Sequence, residues 1–301
     1  MGHRTGRHMP YVIDIYKRKE TQKMNTPFGS TCHAHTDFCD GKAPANEMVQ
    51  AAIAQGFVSL GFSGHSPLPY ENDWAMTAEK LPMYIKTLED LKGKYQNEIE
   101  IVTGIELDAD SEIDLTPFAY TIGSLHTIHK DGASFPVDAD RALLRQCCDQ
   151  LFSGDFHALM RYYFESLYNY VKRQPFTVLG HFDLPLKYNK TGEFINENDP
   201  TYQTTALEIL DGILDLRPNL IIEINTGGIL RAGRPYPYPA PYLLKRLKER
   251  KARLTVTSDA HTPLGLAAAY KETDLLLSTL EIQTLYRLQQ GEFIPFQRAN
   301  S

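Results

Sequence analysis

The sequence has no long apolar run, no dense run of basic residues and no recognisable secretion signal. No segment approaches 18 consecutive apolar residues, so no membrane-spanning helix is expected. The 31 Lys and Arg residues are outnumbered by 37 Asp and Glu residues, which gives a formal charge of −6. This balance predicts neither a nucleic-acid partner nor a membrane-surface partner.

Cysteine is also scarce. The chain has four cysteines without a C-x-x-C pattern, namely Cys32, Cys39, Cys147 and Cys148. The last two are adjacent and are poor partners for each other. The pattern predicts reduced thiols in a cytoplasmic protein.

The first 23 residues are polar and basic and lack the apolar core of a signal peptide. Three interpretations are open for them: an expression tag, a segment upstream of a start at Met24, or a poorly ordered surface arm. We expect residues 24–301 to form a single domain, because no low-complexity linker interrupts them and the length suits one large α/β unit.

Strand-like and helix-like segments alternate from residue 27 onward. The stretch "EMVQAAIAQG", for example, places Met48, Val49 and Ala52 on one helical face and ends at Gly56, a typical helix stop. Seven strand candidates separated by helices favour a parallel sheet closed into a barrel. An open doubly wound sheet also fits the pattern, because periodicity does not show closure.

Two regions depart from simple alternation. Residues 138–173 read as two amphipathic helices, and they predict a helical insertion around 130–173. The stretch "ETDLLLSTLEIQTLYRLQQ", residues 272–290, predicts a last helix.

The segment "TCHAHTDFCDG", residues 31–41, places His33 and His35 two positions apart. In an extended segment, side chains at i and i+2 point to the same face, so both histidines could bind one ion. A pair of solvated histidines is the commoner outcome for this pattern on its own.

The rest of the chain changes that balance, because six of its ten histidines lie where an apolar run stops. These are His33, His35, His65, His126, His181 and His261. The carboxylates Asp40, Glu106 and Asp259 occupy similar positions. Parallel barrels collect such positions at their C-terminal face, where the chemistry of these folds takes place.

This set is larger than the three or four protein ligands that one catalytic zinc requires. It predicts two or three divalent ions, and mixed imidazole and carboxylate ligation suits zinc, manganese or iron. Such a cluster converts water into hydroxide near neutral pH and neutralises the oxygens of a phosphoryl group.

The motifs "CHAHTDFCDG", "GFSGHSPLP", "GIELD", "GSLH", "GHFD" and "SDAH" follow one another in this order. This series resembles that of the polymerase and histidinol phosphatase (PHP) superfamily over residues 31–266. The resemblance implies an α/β fold, a distorted (β/α)7 TIM-like barrel of the PHP type, with up to three metal ions.

The resemblance also implies which residues bind each ion. The ligands implied for the first ion are His33, His35, Asp259 and Glu106. Those implied for the second ion are Asp40, His65 and His261. Glu106 would bridge to a third ion, whose other ligands would be His126 and His181.

Within the superfamily, "GHSPLP", "MRYYFESLYNYV" and "EINTGGILRAGRPYPYPAPYLL" resemble the histidinol-phosphatase branch. That branch implies hydrolysis of L-histidinol phosphate to L-histidinol and phosphate in histidine biosynthesis, by attack of a metal-bridging hydroxide.

Four residues are candidates for binding the small phosphorylated substrate: Arg161, Arg231, Arg234 and Asn225. Arginine suits phosphate because its planar group donates two hydrogen bonds, although each arginine could equally lie on the surface. For catalysis, the candidates are Glu106 and Asp183. Asp183 in "GHFD" would act as general acid or would orient a ligand histidine instead.

Three alternatives stay open at this point. The same centre could act on another small phosphomonoester or on a phosphodiester. It could be a metal-binding module without catalysis that docks to a larger assembly. An amidohydrolase barrel is less favoured, because no lysine stands at a strand end to bridge two ions.

Overall fold

The computed structural model describes residues 26–298, so the arm predicted at residues 1–23 lies outside the described part. Its strands, numbered β1 to β11, are Ser30–Thr31, Ser59–Phe62, Glu100–Asp108, Tyr120–Ser124, Thr127–Lys130, Ala133–Pro136, Val178–Leu179, Ile221–Asn225, Arg253–Thr257, Thr284–Gln289 and Glu292–Gln297. Its helices, numbered α1 to α8, are Ala45–Ala54, Lys80–Tyr95, Arg141–Phe152, Phe156–Arg173, Pro200–Leu216, Gly227–Leu230, Pro241–Glu249 and Tyr270–Thr279.

Seven of the strands form one parallel sheet in the order β1-β2-β3-β4-β7-β8-β9. The two edges of this sheet meet where Ala34, after β1, pairs with Ala260, after β9. There the amide of His35 donates to the carbonyl of Ala260 at 2.8 Å. The predicted barrel is therefore confirmed, and the open sheet is not found.

Local sequence explains where the helices begin and end. In α1, Met48, Val49 and Ala52 are fully buried, as their spacing predicts, and the chain leaves the helix through Gly56 with φ 79°. In α5, the Asp199 carboxylate accepts hydrogen bonds from the first-turn amides of Thr201 and Tyr202. Within residues 26–298, no helix combines the length and the apolar character needed to cross a membrane.

The region predicted as a helical insertion begins differently from the prediction. Strands β5 and β6 form an antiparallel hairpin whose turn is Asp131-Gly132, both with positive φ, which is the geometry that this residue pair favours. Helices α3 and α4 follow as predicted. The hydroxyl of Tyr170 on α4 donates to the carbonyl of Leu107 at 2.7 Å and ties the helices to the barrel.

The helix predicted over residues 272–290 is wrong in its second half. Helix α8 ends at Thr279, and residues 284–297 form the hairpin β10-β11. Leu285 and Leu288 are buried and lie three positions apart, a spacing that imitates a helix. Leu288 packs with Val102, Tyr120 and neighbouring strand residues inside the barrel, so tertiary burial decided the strand conformation.

Candidate metal centre

The strand ends bring all nine predicted metal ligands to one end of the barrel. His33 and His35 follow β1, His65 follows β2, and Glu106 lies within β3. The remaining ligands follow later strands, except Asp40, which lies in the turn before α1. Parallel strands place their carboxyl ends on one face, which explains why positions far apart in sequence meet here.

Three groups of ligand atoms lie close enough to share ions. The first consists of His33, His35 and Asp259. The Nε2 atom of His35 lies 3.1 Å from Oδ1 of Asp259, and the Nε2 atom of His33 lies 3.6 Å from the same oxygen. Glu106 Oε2 lies 3.3 Å from Nε2 of His33, so the structure brings together the four residues proposed for one ion.

The second group contains His35, Asp40, His65 and His261. Nε2 of His261 lies 2.9 Å from Oδ2 of Asp40, and Nε2 of His65 lies 3.6 Å from the other oxygen of that carboxylate. The three residues proposed for the second ion are therefore adjacent, with His35 beside them.

The third group contains His65, Glu106 and His126. Glu106 is central, because its Oε1 also lies 3.1 Å from Nε2 of His181 and 3.5 Å from Nε2 of His126. Its other oxygen lies 2.8 Å from Nδ1 of His65. The proposed third set is thus present, and His65 stands between the second and third groups.

Unpartnered buried atoms indicate that these residues fit divalent metal ions. Within residues 26–298, five buried atoms that lack hydrogen-bond partners belong to predicted ligands: Nε2 of His33, Nε2 of His35, Oδ1 of Asp40, Oε2 of Glu106 and Nδ1 of His181. Native proteins rarely leave such atoms unpaired, and divalent ions bound in the cluster would provide partners for those that face it.

The pKa shifts in the cluster follow its carboxylates and its burial. Burial alone would lower the pKa of His33 and of His126, but Glu223 and Glu106 raise that of His33, and Glu106 and Asp108 raise that of His126 to about 9. Burial, helped by His261 and His65, lowers the pKa of His35 to about 3, so its imidazole is neutral and able to bind a metal. Burial alone would raise the pKa of Glu106, but the neighbouring His65 and His33 hold it well below its usual range. The donor set is therefore imidazole and carboxylate, the ligation that suits zinc, manganese or iron.

A second layer of buried residues contacts the predicted ligands and fixes their orientation. Glu223, within β8, faces Nδ1 of His33 through Oε1 at 2.6 Å and accepts a hydrogen bond from the His181 amide at 2.8 Å. A proton on Nδ1 of His33 leaves its Nε2 lone pair free for a metal. The Thr257 hydroxyl donates to Oε1 of Glu223, the oxygen that faces His33, at 2.6 Å.

Sequence reasoning missed two further members of this layer. Oδ2 of Asp108 lies 2.8 Å from Nδ1 of His126, and the Ser124 hydroxyl donates to Oε1 of Glu106 at 2.6 Å. Both residues stand two positions from a ligand along a strand, Asp108 after Glu106 and Ser124 before His126. The i, i+2 relation on one strand face was the signal that could have found them.

Comparison with known families decides the classification. A family model described as the PHP domain matches residues 31–227, which is more than half of the chain. The chain belongs to the PHP domain family.

Relatives within the PHP family span most of the chain. A protein of Deinococcus radiodurans named probable histidinol-phosphatase is 27% identical over 242 residues, covering 77% of this chain and 85% of that protein. The histidinol-phosphatase of Bacillus subtilis is 26% identical over 269 residues, covering 79% and 96%. A crystal structure of histidinol phosphate phosphatase from Lactococcus lactis, complexed with zinc, L-histidinol and phosphate, has a TM-score of 0.62. It is 19% identical and covers 88% of this chain and 98% of that one, a likeness that shows the fold.

The PHP centre opens into a cavity of about 340 Å³, a volume within the range of small-molecule sites. One part of its wall consists of ligand residues, including Asp40, His65 and Asp259. Another part consists of residues that sequence reasoning did not select: Asp73, Trp74, Asp138, Lys187 and Tyr238.

Among the three candidate arginines, Arg231 alone lines this cavity. Its Nη1 donates to Oδ1 of Asp259 at 3.0 Å and lies 2.8 Å from Nδ1 of His261. Asp259 has φ 50°, a left-handed conformation that aspartate tolerates better than most residues. Arg231 therefore stands beside two ligands, where it can meet an anionic group.

The other two arginines have structural roles in the described structure, in contrast to the prediction. Arg161, on the exposed side of α4, donates to the Thr205 hydroxyl at 3.0 Å and lines a different groove. Arg234 is buried and donates to the Leu186 carbonyl at 2.7 Å and to Glu197 at 3.1 Å. The sequence places both arginines near the predicted motifs, but the direction in which each side chain points depends on partners that are distant in sequence.

Asn225 also differs from its predicted role. It is fully buried and does not line the cavity. Its amide nitrogen donates to Glu223 at 3.0 Å and to Asp259 at 3.3 Å, and its carbonyl oxygen accepts from the Gly227 amide at 2.8 Å. The side chain therefore holds the predicted ligand Asp259, and both its amide nitrogen and its carbonyl oxygen are already paired.

Asp183, predicted as general acid, is likewise fully buried outside the cavity wall. Its Oδ2 accepts a hydrogen bond from the Ala240 amide at 3.0 Å and lies 3.9 Å from Nη2 of Arg234. Burial raises the pKa of Asp183 to about 6, against the opposing effect of Arg234. Its position suits a carboxylate that holds the loop before α7.

Asp183→Asn is accordingly expected to keep the wild-type metal content and to lower kcat/KM by less than about fivefold. Loss of the charged acceptor for Ala240 should lower the free energy of unfolding by about 1–3 kcal/mol. Elemental analysis, steady-state kinetics and urea unfolding measure the three quantities. A loss of kcat above about a hundredfold at full metal content would reinstate Asp183 as a proton donor.

Proposed function

We propose that this protein is a metal-dependent phosphatase that hydrolyses L-histidinol phosphate to L-histidinol and inorganic phosphate. The observation that carries the proposal is the set of nine imidazole and carboxylate side chains around a small cavity, eight of them in the three close groups and His181 beside Glu106, with Arg231 at the cavity wall. The histidinol-phosphatase names of relatives that cover 77% and 79% of this chain support the substrate.

The chain's own residues divide the work as follows. His33, His35, Asp259 and Glu106 would hold one ion, Asp40, His65 and His261 a second, and Glu106, His126 and His181 a third. Divalent ions bound there supply a water of lowered pKa and neutralise phosphoryl oxygens. Arg231 binds a phosphate oxygen, while Glu223 and Asn225 keep the ligands in place.

A cavity of this size favours a small phosphomonoester over a long diester. We further propose that residues 24–301 form one catalytic domain, because strands from Ser30 to Thr257 close a single barrel. The four cysteines are free, which supports a cytoplasmic location.

Phosphate release by protein loaded with zinc, manganese or iron tests the proposal. We expect kcat/KM for L-histidinol phosphate above about 10⁴ M⁻¹s⁻¹ and at least tenfold above sugar phosphates, nucleotides and a nitrophenyl phosphodiester. A value below about 10³ M⁻¹s⁻¹, with another ester above 10⁴, would reject the substrate. No hydrolysis of any ester by metal-loaded protein would indicate a non-catalytic module.

Arg231→Met is expected to lower kcat/KM by about a hundredfold, because one charge-assisted contact to phosphate is lost. Arg161→Met is the matched control, since Arg161 lies on α4 and lines another groove. It should change kcat/KM by less than about twofold. Equal effects of the two substitutions would contradict the placement of Arg231 at the phosphate.

A further inference from the structure

Part of the cavity wall has a different character from the metal ligands. The cavity is lined by four aspartates, of which Asp40 and Asp259 belong to the ligand groups and Asp73 and Asp138 do not. Asp138 lies between the hairpin strand β6 and helix α3. A carboxylate that is not needed for metal binding, in a cavity built for a phosphate ester, indicates a second recognition element.

Asp138 is held in place by the residues of the turn after β7. The ammonium group of Lys187 donates to Oδ2 of Asp138 at 3.0 Å and to its carbonyl oxygen at 2.6 Å. The Tyr188 hydroxyl donates to that same carbonyl oxygen at 2.6 Å. The Asp138 side chain is 21% exposed, so a group inside the cavity can reach it.

One oxygen of this carboxylate is available. Among residues 26–298, Oδ1 of Asp138 has no hydrogen-bond partner, whereas Oδ2 is paired with Lys187. The ion pair with Lys187 keeps this carboxylate anionic: burial would raise the pKa of Asp138, but the adjacent ammonium group holds it below its ordinary value. An ionised carboxylate accepts several hydrogen bonds and binds a second cation beside the first.

Asp138 lies in the same cavity wall as His126, a proposed metal ligand, and Arg231, the arginine proposed for the phosphate. The amide of Val137, the residue before Asp138, donates to the His126 carbonyl at 2.8 Å, so the chain at Asp138 runs beside that proposed ligand. A substrate whose phosphate meets these groups brings its neighbouring atoms toward Asp138.

L-Histidinol phosphate has a cationic ammonium group on the carbon next to the ester methylene. We propose that the Asp138 carboxylate binds this ammonium group and makes the PHP centre selective for phosphate esters of amino alcohols. This inference rests on the proposed function and names the residue that recognises the substrate. Lys187 has a positioning role, because it donates one hydrogen bond to the carboxylate of Asp138 and one to the backbone carbonyl of the same residue, which fixes both before the substrate arrives.

Asp73 is the competing residue within the same cavity. It is exposed, and among the described residues it has no hydrogen-bond or ion-pair partner, so its carboxylate is not fixed. Asp73→Asn therefore serves as the matched control for Asp138→Asn. Both variants remove one negative charge from the cavity wall and keep the shape of the side chain.

The test compares two substrates on the metal-loaded enzyme: L-histidinol phosphate and its deamino analogue, 3-(imidazol-4-yl)propyl phosphate. The wild type should prefer the amino substrate by at least about tenfold in kcat/KM, the effect of one charge-assisted hydrogen bond. Asp138→Asn should lower kcat/KM for the amino substrate by about 10–100-fold and for the analogue by less than about threefold. Asp73→Asn should leave the ratio of the two values unchanged.

The outcomes separate this inference from the proposed function. If the wild type hydrolyses both substrates equally well, the inference fails and the proposed function stands. Equal losses on both substrates in Asp138→Asn, or a selective loss in Asp73→Asn, also overturn the inference. If the wild type does not hydrolyse L-histidinol phosphate at all, the proposed function itself fails.

A second measurement needs no variant, so it tests recognition of the ammonium group even if Asp138→Asn fails to fold. L-Histidinol, the amino-alcohol product, should inhibit the wild type at least about tenfold more strongly than the deamino alcohol. Equal inhibition by the two alcohols overturns the inference.

Discussion

Replacing Glu106 by glutamine is expected to lower kcat/KM by about a thousandfold or more. Glu106 is 1% exposed, and its two oxygens lie within 3.5 Å of nitrogen atoms of His33, His65, His126 and His181. One carboxylate therefore connects groups proposed for different ions. A glutamine amide cannot supply two anionic oxygens, so more than one ion should bind weakly.

Elemental analysis and steady-state kinetics on the same sample test this expectation. Glu281→Gln is a suitable control, because Glu281 is exposed and, among residues 26–298, its carboxylate forms an ion pair only with Lys248. The control should keep kcat/KM within about twofold of the wild type. Glu106→Gln with more than about a tenth of wild-type kcat/KM would remove Glu106 from the proposed centre.

Replacing Glu223 by glutamine is expected to weaken metal binding by about 10–100-fold, although Glu223 belongs to none of the ligand groups. Its carboxylate faces Nδ1 of His33, the His181 amide and the hydroxyl of Thr257. A glutamine would replace one acceptor oxygen by an NH₂ group, which would face hydrogen-bond donors that have lost their acceptor. The free energy of unfolding of the metal-free protein should fall by about 3 kcal/mol, because buried donors lose their acceptor.

Two measurements separate the effects on the metal and on the fold. Competition with a chromophoric chelator reports the metal affinity, and urea unfolding in excess chelator reports the stability of the metal-free chain. Thr257→Val is the control, because it removes one hydrogen-bond donor to Glu223 and keeps the carboxylate. It should lower the free energy of unfolding of the metal-free protein by about 1 kcal/mol and keep the metal affinity within about threefold of the wild type. Unchanged affinity in Glu223→Gln would show that His33 and His181 do not depend on this carboxylate.

Local patterns in the sequence predicted much of the architecture. The spacing of Met48, Val49 and Ala52 predicted helix α1, and all three residues are buried. The alternation of strands and helices predicted the barrel. The histidines at strand ends predicted the cluster of imidazole and carboxylate groups at one end of the barrel. Each prediction depends on a short-range rule: a helix repeats every 3.6 residues, a strand every two, and parallel strands end together.

The same rules failed where a residue's partner is distant in sequence. Leu285 and Leu288 have helical spacing, yet their segment forms a strand, because both side chains are buried and Leu288 packs against residues of the barrel strands. Arg161, Arg234 and Asp183 stand near motifs, and their partners are Thr205, Glu197 and Ala240. Asn225 adds the distant Asp259 to its local partners Glu223 and Gly227. No local pattern specifies these pairings.

The sequence by itself determined the chemistry of the centre, because imidazole and carboxylate groups at strand ends must gather at one end of a parallel barrel. Only the tertiary structure decided which residues face the cavity. Arg231 and Asp138 line the cavity, whereas Arg234 and Asp183 are buried in the packing around it. The reason is that a strand position fixes the face of a side chain, whereas its exposure depends on what the rest of the chain packs against it.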